Sequence, residues 1–475
     1  MRVTHRTMRV THRMLILAAA VTGLVSILAA PAAGRPTAGT AAGMTMGSRS
    51  TLWAATYHGP QSGDSHAAAE AVSPGGAMLF VTGSTGASPT TLPRGWATVA
   101  YDAATGTQQW AQTFQGTDTT QAGSAAAHAI AVSPDGSTVF VSGEVTNTGG
   151  VSAEATIAYS AATGARLWVS EAPDDFPQSI AVSPDGATLF VMNHTYSALA
   201  YDTATGHLQW AATPAGLDMD STAQDAAMSP DGSTVFITGY AVDSSFHEVY
   251  QTAAFDTATG AVEWLQQYAR GGTDEAATSI AVSPDSATVF IAGHSTADNR
   301  YRQITLADSS ATGAVRWTRF SAAVPGPDAV SPDGSTLFVG GARQAPNGET
   351  VFETQARDVV TGALLWTHLQ TSKPATAPAT SFDLAMTVSP AGSAVFITGG
   401  LSNNTTGAYS FMTIAYNPAT GARLWWARYA LPTTGIIGSN PAAIVVSPDG
   451  SKVFVTGQGQ NAAGTVNFAT VAYRA

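Results

Sequence analysis

One short pattern of apolar and polar residues recurs along most of the chain. Two alternating apolar runs flank a Ser-Pro-Asp-Gly turn, as in residues 181–191, Ala-Val-Ser-Pro-Asp-Gly-Ala-Thr-Leu-Phe-Val. Alternation with a period of two predicts β-strands, and the Pro-Asp-Gly turn predicts that they form an antiparallel hairpin. The unit occurs eight times, and its serines are Ser73, Ser133, Ser183, Ser229, Ser283, Ser331, Ser389 and Ser447.

A second predicted hairpin follows each of the first seven. Its turn contains Thr-Gly, as at Thr105-Gly106, and a tryptophan stands four residues after the glycine. These tryptophans are Trp110, Trp168, Trp210, Trp264, Trp317, Trp366 and Trp425. Four strands in each repeat of roughly 45 to 55 residues match the period and strand number of propeller blades.

The two ends of the repeat region complement each other. The eighth copy stops at Ala475, before its tryptophan strand, whereas the segment 52–57 around Trp53 resembles such a strand and precedes the first copy. Pairing them would close a ring and hide two sheet edges. A linear solenoid is the alternative, but it would need capping repeats. We therefore predict an all-β fold over residues 51–475: an eight-bladed β-propeller of four-stranded antiparallel blades, closed by the N-terminal strand joining the last blade.

The first 33 residues predict a signal peptide, and residues 34–50 predict a flexible linker. A basic stretch ends at Arg13, an apolar run follows over residues 14–30, and Ala30-Pro31-Ala32 provides small residues for cleavage. An uncleaved membrane anchor is the alternative, since the apolar run has 17 residues. The repeated Met-Arg-Val-Thr-His leaves Met1, Met8 or Met14 as the start. Either way we expect a secreted or extracytoplasmic protein.

Composition narrows the classes of function. The net charge is -12 with only two lysines, which argues against binding nucleic acid phosphates. The absence of cysteine excludes disulfides, thiolate metal sites and cysteine nucleophiles. Stability must therefore come from packing, and we expect a monomer.

The signature Ala-x-Asp-x-x-Thr-Gly-x-x-x-Trp, as in residues 100–110, resembles the tryptophan-docking motif of the quinoprotein-dehydrogenase-like (PQQ-like) propellers, which have eight blades. The Ser-Pro-Asp-Gly hairpins are similar to those of lactonase-like and WD-type propellers. The resemblance implies that the tryptophans, including Trp53, pack between neighbouring blades. It also implies one possible activity, the oxidation of alcohols or sugars with pyrroloquinoline quinone (PQQ) and calcium.

Charged residues interrupt the apolar strand before the Ser-Pro turn. Glu70 and Asp328 stand where most other copies have isoleucine or methionine, and a polar residue at a core-like position needs a reason. The candidate residues of a channel-mouth binding site are Glu70, His128, Asp225, Asp328 and Asp383. Such a mouth would suit calcium or a cationic ligand, while solvated acidic loops are the alternative.

Aromatic and imidazole side chains fall in the loops that vary between repeats. They are Trp96, Tyr196, Tyr240, Phe246, His247, Tyr250, His294 and Tyr301. Loop residues on a rigid scaffold are the usual carriers of function. The alternative is that most of them are buried loop anchors.

The sequence contains no complete catalytic motif. It lacks a phosphate-binding loop and a Gly-x-Ser-x-Gly elbow, and His247-Glu248 is followed by Gln251 where a zinc protease has its second histidine. We predict an exported, non-enzymatic binding or scaffold propeller without a cofactor. Its partner would be a protein, glycan or small ligand, held by the variable loop face or the channel mouth. The alternative function is a PQQ- and calcium-dependent dehydrogenase.

Overall fold

The described part of the chain forms eight four-stranded antiparallel sheets, here seen in a computed structural model. The described residues are 49–60, 63–87, 95–115, 125–146, 152–173, 176–217, 220–297, 301–344, 350–370, 384–402, 409–430, 440–461 and 464–475. The predicted signal peptide, most of the predicted linker and Asp383 lie outside these ranges. Within these ranges, no helix has the length and hydropathy to span a membrane.

The first four blades follow one another along the chain. Strand β1 (Thr51–Tyr57) precedes them and belongs to blade 8. Blades 1 and 2 contain β2 (Asp64–Val72), β3 (Met78–Ala87), β4 (Gly95–Asp102), β5 (Gln108–Phe114), β6 (Ala125–Val132), β7 (Thr138–Thr146), β8 (Ser152–Ser160) and β9 (Arg166–Pro173). Blades 3 and 4 contain β10 (Pro177–Val182), β11 (Thr188–Asn193), β12 (Ala198–Asp202), β13 (Leu208–Ala212), β14 (Thr222–Met228), β15 (Thr234–Val242), β16 (Glu248–Asp256) and β17 (Val262–Tyr268).

The remaining blades continue in the same order. Blades 5 and 6 contain β18 (Glu275–Val282), β19 (Thr288–Ser295), β20 (Arg302–Ser309), β21 (Val315–Ser321), β22 (Val324–Val330), β23 (Thr336–Gln344), β24 (Thr350–Asp358) and β25 (Leu364–Gln370). Blade 7 contains β26 (Leu384–Val388), β27 (Val395–Ser402), β28 (Tyr409–Tyr416) and β29 (Arg423–Tyr429). Blade 8 contains β30 (Asn440–Val446), β31 (Lys452–Gln460), β32 (Val466–Arg474) and β1.

The ring is closed between blades 8 and 1. Strand β1 pairs antiparallel with β32, with Trp53 opposite Ala472 and Tyr57 opposite Phe468. The first strand of every blade contacts the first strand of the next, and β30 contacts β2. The predicted eight-bladed ring with a split last blade is therefore confirmed, and the linear solenoid is excluded.

The Ser-Pro-Asp-Gly turns are held by side chain to backbone hydrogen bonds. In blade 2, the Ser133 hydroxyl donates to Asp135 Oδ1 at 2.5 Å and accepts from the Thr138 amide at 3.0 Å. Asp135 Oδ1 also accepts from the Ser137 amide at 3.0 Å. Gly136 has a φ of 73°, a conformation that suits glycine. The aspartate is therefore a turn residue.

Blade 1 offers a test of this turn, because Gly75 stands where six blades have aspartate. We expect Gly75→Asp to raise the free energy of unfolding by about 1 kcal/mol, through a new hydrogen bond from Ser73 and a less flexible unfolded chain. Urea denaturation measures the change. Gly75→Ala is the control, since it stiffens the unfolded chain without adding the carboxylate. An equal gain from both variants would contradict a role for the hydrogen bond.

Tryptophans join each blade to the next. The indole Nε1 of Trp110 donates to the carbonyl oxygen of Ala161 in blade 2 at 2.8 Å, and its ring packs against Gly164. The same type of hydrogen bond is made by Trp53, Trp168, Trp210, Trp264, Trp317 and Trp366. Each ring buries a large apolar surface and satisfies its one donor.

Trp425 makes the same tyrosine contact as Trp110, which lies 6.2 Å from Tyr159, but an arginine also lies over its ring. Its ring lies 6.0 Å from that of Tyr473, and the guanidinium carbon of Arg49 lies 5.9 Å from the Trp425 ring centroid. The Arg49 amide also donates to the carbonyl oxygen of Trp426 at 2.8 Å. Arg49 thus covers the tryptophan beside the closure.

A β-bulge in the first strand is paired with a glycine in the second. In blade 2, Ala127 pairs with Gly143 and Ala129 with Ser142, which leaves His128 as the extra residue. A Cβ atom on Gly143 would lie 2.2 Å from the Ala126 oxygen and 2.4 Å from Trp96 of blade 1. Gly239 and Gly293 receive Tyr196 and Tyr250 of their preceding blades in the same way. Glycine thus leaves room for both the bulge and an aromatic ring.

Candidate ligand-binding site

Two of the predicted channel-mouth acids lie buried in seams between blades. Glu70 is 1% exposed and neither carboxyl oxygen makes a hydrogen bond within the described residues. Burial raises its pKa well above the ordinary value, although the nearby backbone of Thr456 and Val445 in blade 8 partly opposes the shift. Asp328 accepts a short hydrogen bond from Ser279 of blade 5, and burial raises its pKa to about 7.

Asp225 is buried in a third seam, and His128 lies on blade 2. Asp225 Oδ2 accepts from the Ile280 amide at 3.1 Å and so joins blades 4 and 5. His128 is partly buried on blade 2, and burial lowers its pKa to about 4, which keeps the imidazole neutral at physiological pH. Asp383 lies outside the described residues. The four described residues thus lie on the first strands of blades 1, 2, 4 and 6.

These positions bear on the dehydrogenase alternative. Calcium takes six to eight oxygen ligands, so a calcium-bound quinone needs several acidic or amide side chains at one place. Across the described ranges, no group of three or more histidine, aspartate or glutamate side chains could hold a metal ion. The described acids therefore do not fit a calcium-bound quinone, and we derive no redox step.

Several buried carboxylates were missed by the sequence analysis. Glu154 accepts from Thr156 at 2.9 Å and from Asn193 of blade 3 at 3.1 Å. Asp308 is 2% exposed, its Oδ1 makes no hydrogen bond within the described residues, and burial raises its pKa to about 7. Asp308 stands where blade 2 has Tyr159, just before the Thr-Gly turn. Comparing the repeats at that position would have revealed it.

The aromatic residues of the variable loops divide into two groups. Trp96, Tyr196 and Tyr250 are at most 1% exposed, so they are packing residues between blades. By contrast, Phe246 is 84% exposed and Tyr301 is 47% exposed. Tyr240 in β15, His294 in β19 and His247 are partly exposed. The exposed rings therefore belong to blades 4 and 5, at the end of the disc opposite the Ser-Pro turns.

An open cleft of about 600 Å³ lies beside Tyr301 on blade 5. Its lining residues are Tyr301, Arg302, Phe320, Ser321 and Ala322. They come from the start of β20 and the end of β21, which pair so that Ile304 faces Phe320. Phe320 is 38% exposed, although other blades mostly carry a polar residue at this position, three after the tryptophan. That departure was the sequence signal for the cleft.

Polar and charged groups surround the two rings of the cleft. The guanidinium carbon of Arg270 lies 4.3 Å from the Phe320 ring centroid, within cation–π distance. His294 stacks on Tyr301 with centroids 5.0 Å apart, and its Nε2 lies 2.8 Å from Asp274 Oδ1. Burial, aided by Asp274, raises the pKa of Tyr301 to about 12. The Tyr301 phenol therefore stays protonated and can donate a hydrogen bond at physiological pH.

Comparisons with known proteins agree with the ring. A protein-family model described as "Outer membrane protein assembly factor BamB" matches residues 93–348 and 253–471. No curated protein matches the sequence. Similar solved structures include BamB from Moraxella catarrhalis, which is 14% identical, with 90% of this chain and 100% of that chain covered and a TM-score of 0.49.

Two further structures show the same fold at low identity. The Dos1 propeller is 15% identical, covers 89% of this chain and 95% of its own, and has a TM-score of 0.58. The C-terminal WD40 domain of Sif2 is 8% identical, covers 90% and 99%, and has a TM-score of 0.55. The family model spans most of the propeller. The chain therefore belongs to the PQQ-like β-propeller family described as outer membrane protein assembly factor BamB.

Proposed function

We propose that this protein is an exported, non-enzymatic binding or scaffold propeller that engages its partner through the variable loops of blades 4 and 5. The observation that carries the proposal is the exposure of three aromatic rings there, Phe246 on blade 4 and Tyr301 and Phe320 on blade 5. Large exposed rings cost solvation unless they serve an interaction, and aromatic residues are enriched at the centres of interfaces. No cofactor is part of this proposal.

The rest of the described molecule supports a scaffold role. The tryptophans and the bulge glycines fix each blade against the next, so loops on one face are presented by a rigid ring. Rigid presentation lowers the entropy lost on binding. Glu70, Asp308 and Asp328, whose pKa values are raised, are buried and do not line the cleft.

The family description and the leader support an extracytoplasmic location. The description names an outer membrane assembly factor, which supports both an assembly role and work outside the cytoplasm. A predicted signal peptide over residues 1–33 supports export of this chain. Sequencing the N-terminus of the protein recovered from the extracytoplasmic fraction would test cleavage near Ala33.

Site-specific photo-crosslinking tests the binding face. A photoreactive phenylalanine replaces Phe246 in the full chain, and the cells that export it are irradiated. We expect covalent adducts from this position, because its ring is exposed on the proposed face. Adducts of any mass, whether with protein or with glycan, are detected by gel shift and mass spectrometry.

The matched control is the same photoreactive residue at Val360. Val360 is 81% exposed, close to the 84% of Phe246, but lies in the turn between β24 and β25 on the opposite face. We expect few adducts there. Equal adducts from both positions, or none from Phe246, would overturn the proposed binding face.

A further inference from the structure

We propose that the blade 5 cleft, lined by Tyr301, Arg302, Phe320, Ser321 and Ala322, binds an acidic saccharide, a sugar chain that carries carboxylate groups. This inference rests on the proposed function and names the ligand class of its binding face. The volume of about 600 Å³ lies within the range of about 300 to 1,000 Å³ that is usual for small-ligand sites.

The rings of the cleft fit the apolar faces of sugars. A pyranose ring presents C–H groups on its faces and hydroxyls at its rim, so flat aromatic side chains pack against the faces. Tyr301 and Phe320 are partly exposed in the cleft, while His294 and Arg270 pack against them and limit their motion. Preorganised rings lose little entropy when a ligand stacks on them.

The polar groups fit the rim of a sugar and its carboxylate. The protonated Tyr301 hydroxyl can donate to a sugar oxygen. Among the described residues, no hydrogen bond or ion pair occupies the guanidinium of Arg302, and this fork of donors matches a carboxylate. The Ser321 hydroxyl already donates to Gln303 at 2.9 Å and accepts from the Ala323 amide at 3.2 Å, which leaves one lone pair as an acceptor for a ligand.

The distribution of charge opposes an anionic ligand less at this blade than at the three blades before it. Residues 101–269 contain eighteen acidic residues and one arginine, Arg166. Residues 270–357 contain seven of the twelve arginines of the propeller and nine acidic residues. Of those nine, Glu275, Asp308, Asp328 and Glu353 are buried. An anion is therefore repelled less at blades 5 and 6 than at blades 2 to 4.

The test measures binding of defined oligosaccharides to the exported protein by titration calorimetry. The acidic probes are tetrasaccharides of galacturonic, glucuronic and mannuronic acid. The neutral probe is a tetrasaccharide of glucose. An acidic peptide with the same net charge as the acidic tetrasaccharides tests whether negative charge without a sugar is sufficient for binding. We expect at least one acidic tetrasaccharide to bind about tenfold more tightly than the neutral probe and the peptide, and to weaken with added salt.

Variants assign the binding to the cleft. We expect Arg302→Gln to weaken binding about tenfold, since a charge-assisted hydrogen bond is lost. Tyr301→Ala should weaken it more than Tyr301→Phe, which keeps the ring. Arg316→Gln is the control, because Arg316 lies at the other end of β21, where its guanidinium bonds Thr288. We expect this control to bind as the unaltered protein does.

The outcomes separate this inference from the proposed function. Absence of binding to every acidic tetrasaccharide, equal binding of the neutral probe or of the peptide, or equal losses in the Arg302 and Arg316 variants would each overturn the inference. If crosslinks from Phe246 persist in that case, the binding face stands with another partner. If those crosslinks are also absent, both proposals fall.

Discussion

Replacing Gly143 by alanine is expected to lower the free energy of unfolding by about 4 kcal/mol or more, which would leave little folded protein. The new methyl group would lie 2.2 Å from the Ala126 oxygen and 2.4 Å from the Trp96 ring. The methyl group would clash with the backbone of β6 on one side and with the buried Trp96 ring on the other. Either the β-bulge or the packing between blades 1 and 2 must therefore be disrupted. Urea denaturation followed by tryptophan fluorescence measures the loss.

Gly75→Ala serves here as the matched control for loss of glycine. A Cβ atom on Gly75 would meet nothing within 4 Å, and its φ is not in the positive region. We expect a change within about 0.5 kcal/mol for this variant. A Gly143→Ala protein with the same denaturation midpoint as the unaltered protein would show that the bulge does not need glycine.

Replacing Asp328 by asparagine is expected to stabilise the propeller at pH 8 by up to about 4 kcal/mol. The carboxyl of Asp328 is 6% exposed, and its Oδ2 makes no hydrogen bond within the described residues. Burial raises its pKa from the ordinary value of 3.8 to about 7. Between about pH 4 and pH 7 the folded protein therefore keeps a proton on Asp328 that the unfolded chain has lost, and at pH 8 folding buries the charged carboxylate.

The sign of the pH dependence follows from that proton. The contribution of Asp328 to stability is most favourable below about pH 4 and is lost as the pH rises to about 7. The amide of the Asp328→Asn variant stays neutral at every pH, so the two proteins should unfold alike at pH 4 and diverge by pH 8 in thermal or urea denaturation. A constant difference at every pH would contradict burial of an ionisable carboxyl as the cause.

Asp333→Asn in the same blade is the control with the opposite sign. The hydrogen bond from Ser331 lowers the pKa of Asp333, since it favours the charged carboxylate. Its stabilising effect is therefore present above its ordinary pKa and lost on acidification. Asp333→Asn should destabilise the protein slightly at pH 8, where Asp328→Asn stabilises it.

The ring could be predicted because its determinants repeat. The Ser-Pro-Asp-Gly turn that begins at Ser133 and the Thr-Gly turn before Trp110 each form a local hairpin, and the strands beside them alternate apolar and polar residues. Both patterns are visible in a single repeat. Closure of the ring by the N-terminal strand could be predicted because the strand at Trp53 resembles the fourth strand of a blade but precedes the first repeat. These features depend only on residues that are close in sequence or on the number of repeats, so they can be read from the sequence.

The site could not be predicted in the same way, because it depends on how blades face one another. The first strand of a blade turns alternate residues to the preceding and the following blade. Glu70 therefore faces blade 8, and Asp225 faces blade 5, while neither meets the other. Sequence alternation shows which positions are buried, but it does not show which blade buries them. Phe320 was missed because the features that predict the strand, a Thr-Gly turn and the tryptophan, do not involve the residue three positions after the tryptophan.

The pairing of β1 with β32 sets the order of events during biogenesis. Trp53 meets Ala472 only after almost the whole polypeptide has been synthesised, so the ring closes last, and contacts of such long sequence separation form slowly. During that delay β1 is an unpaired strand and blade 8 has an open edge. A second chain present at high concentration can exchange its own β1 into that edge, which gives strand-swapped oligomers. Refolding at low concentration, or release of chains one at a time, favours the closed ring.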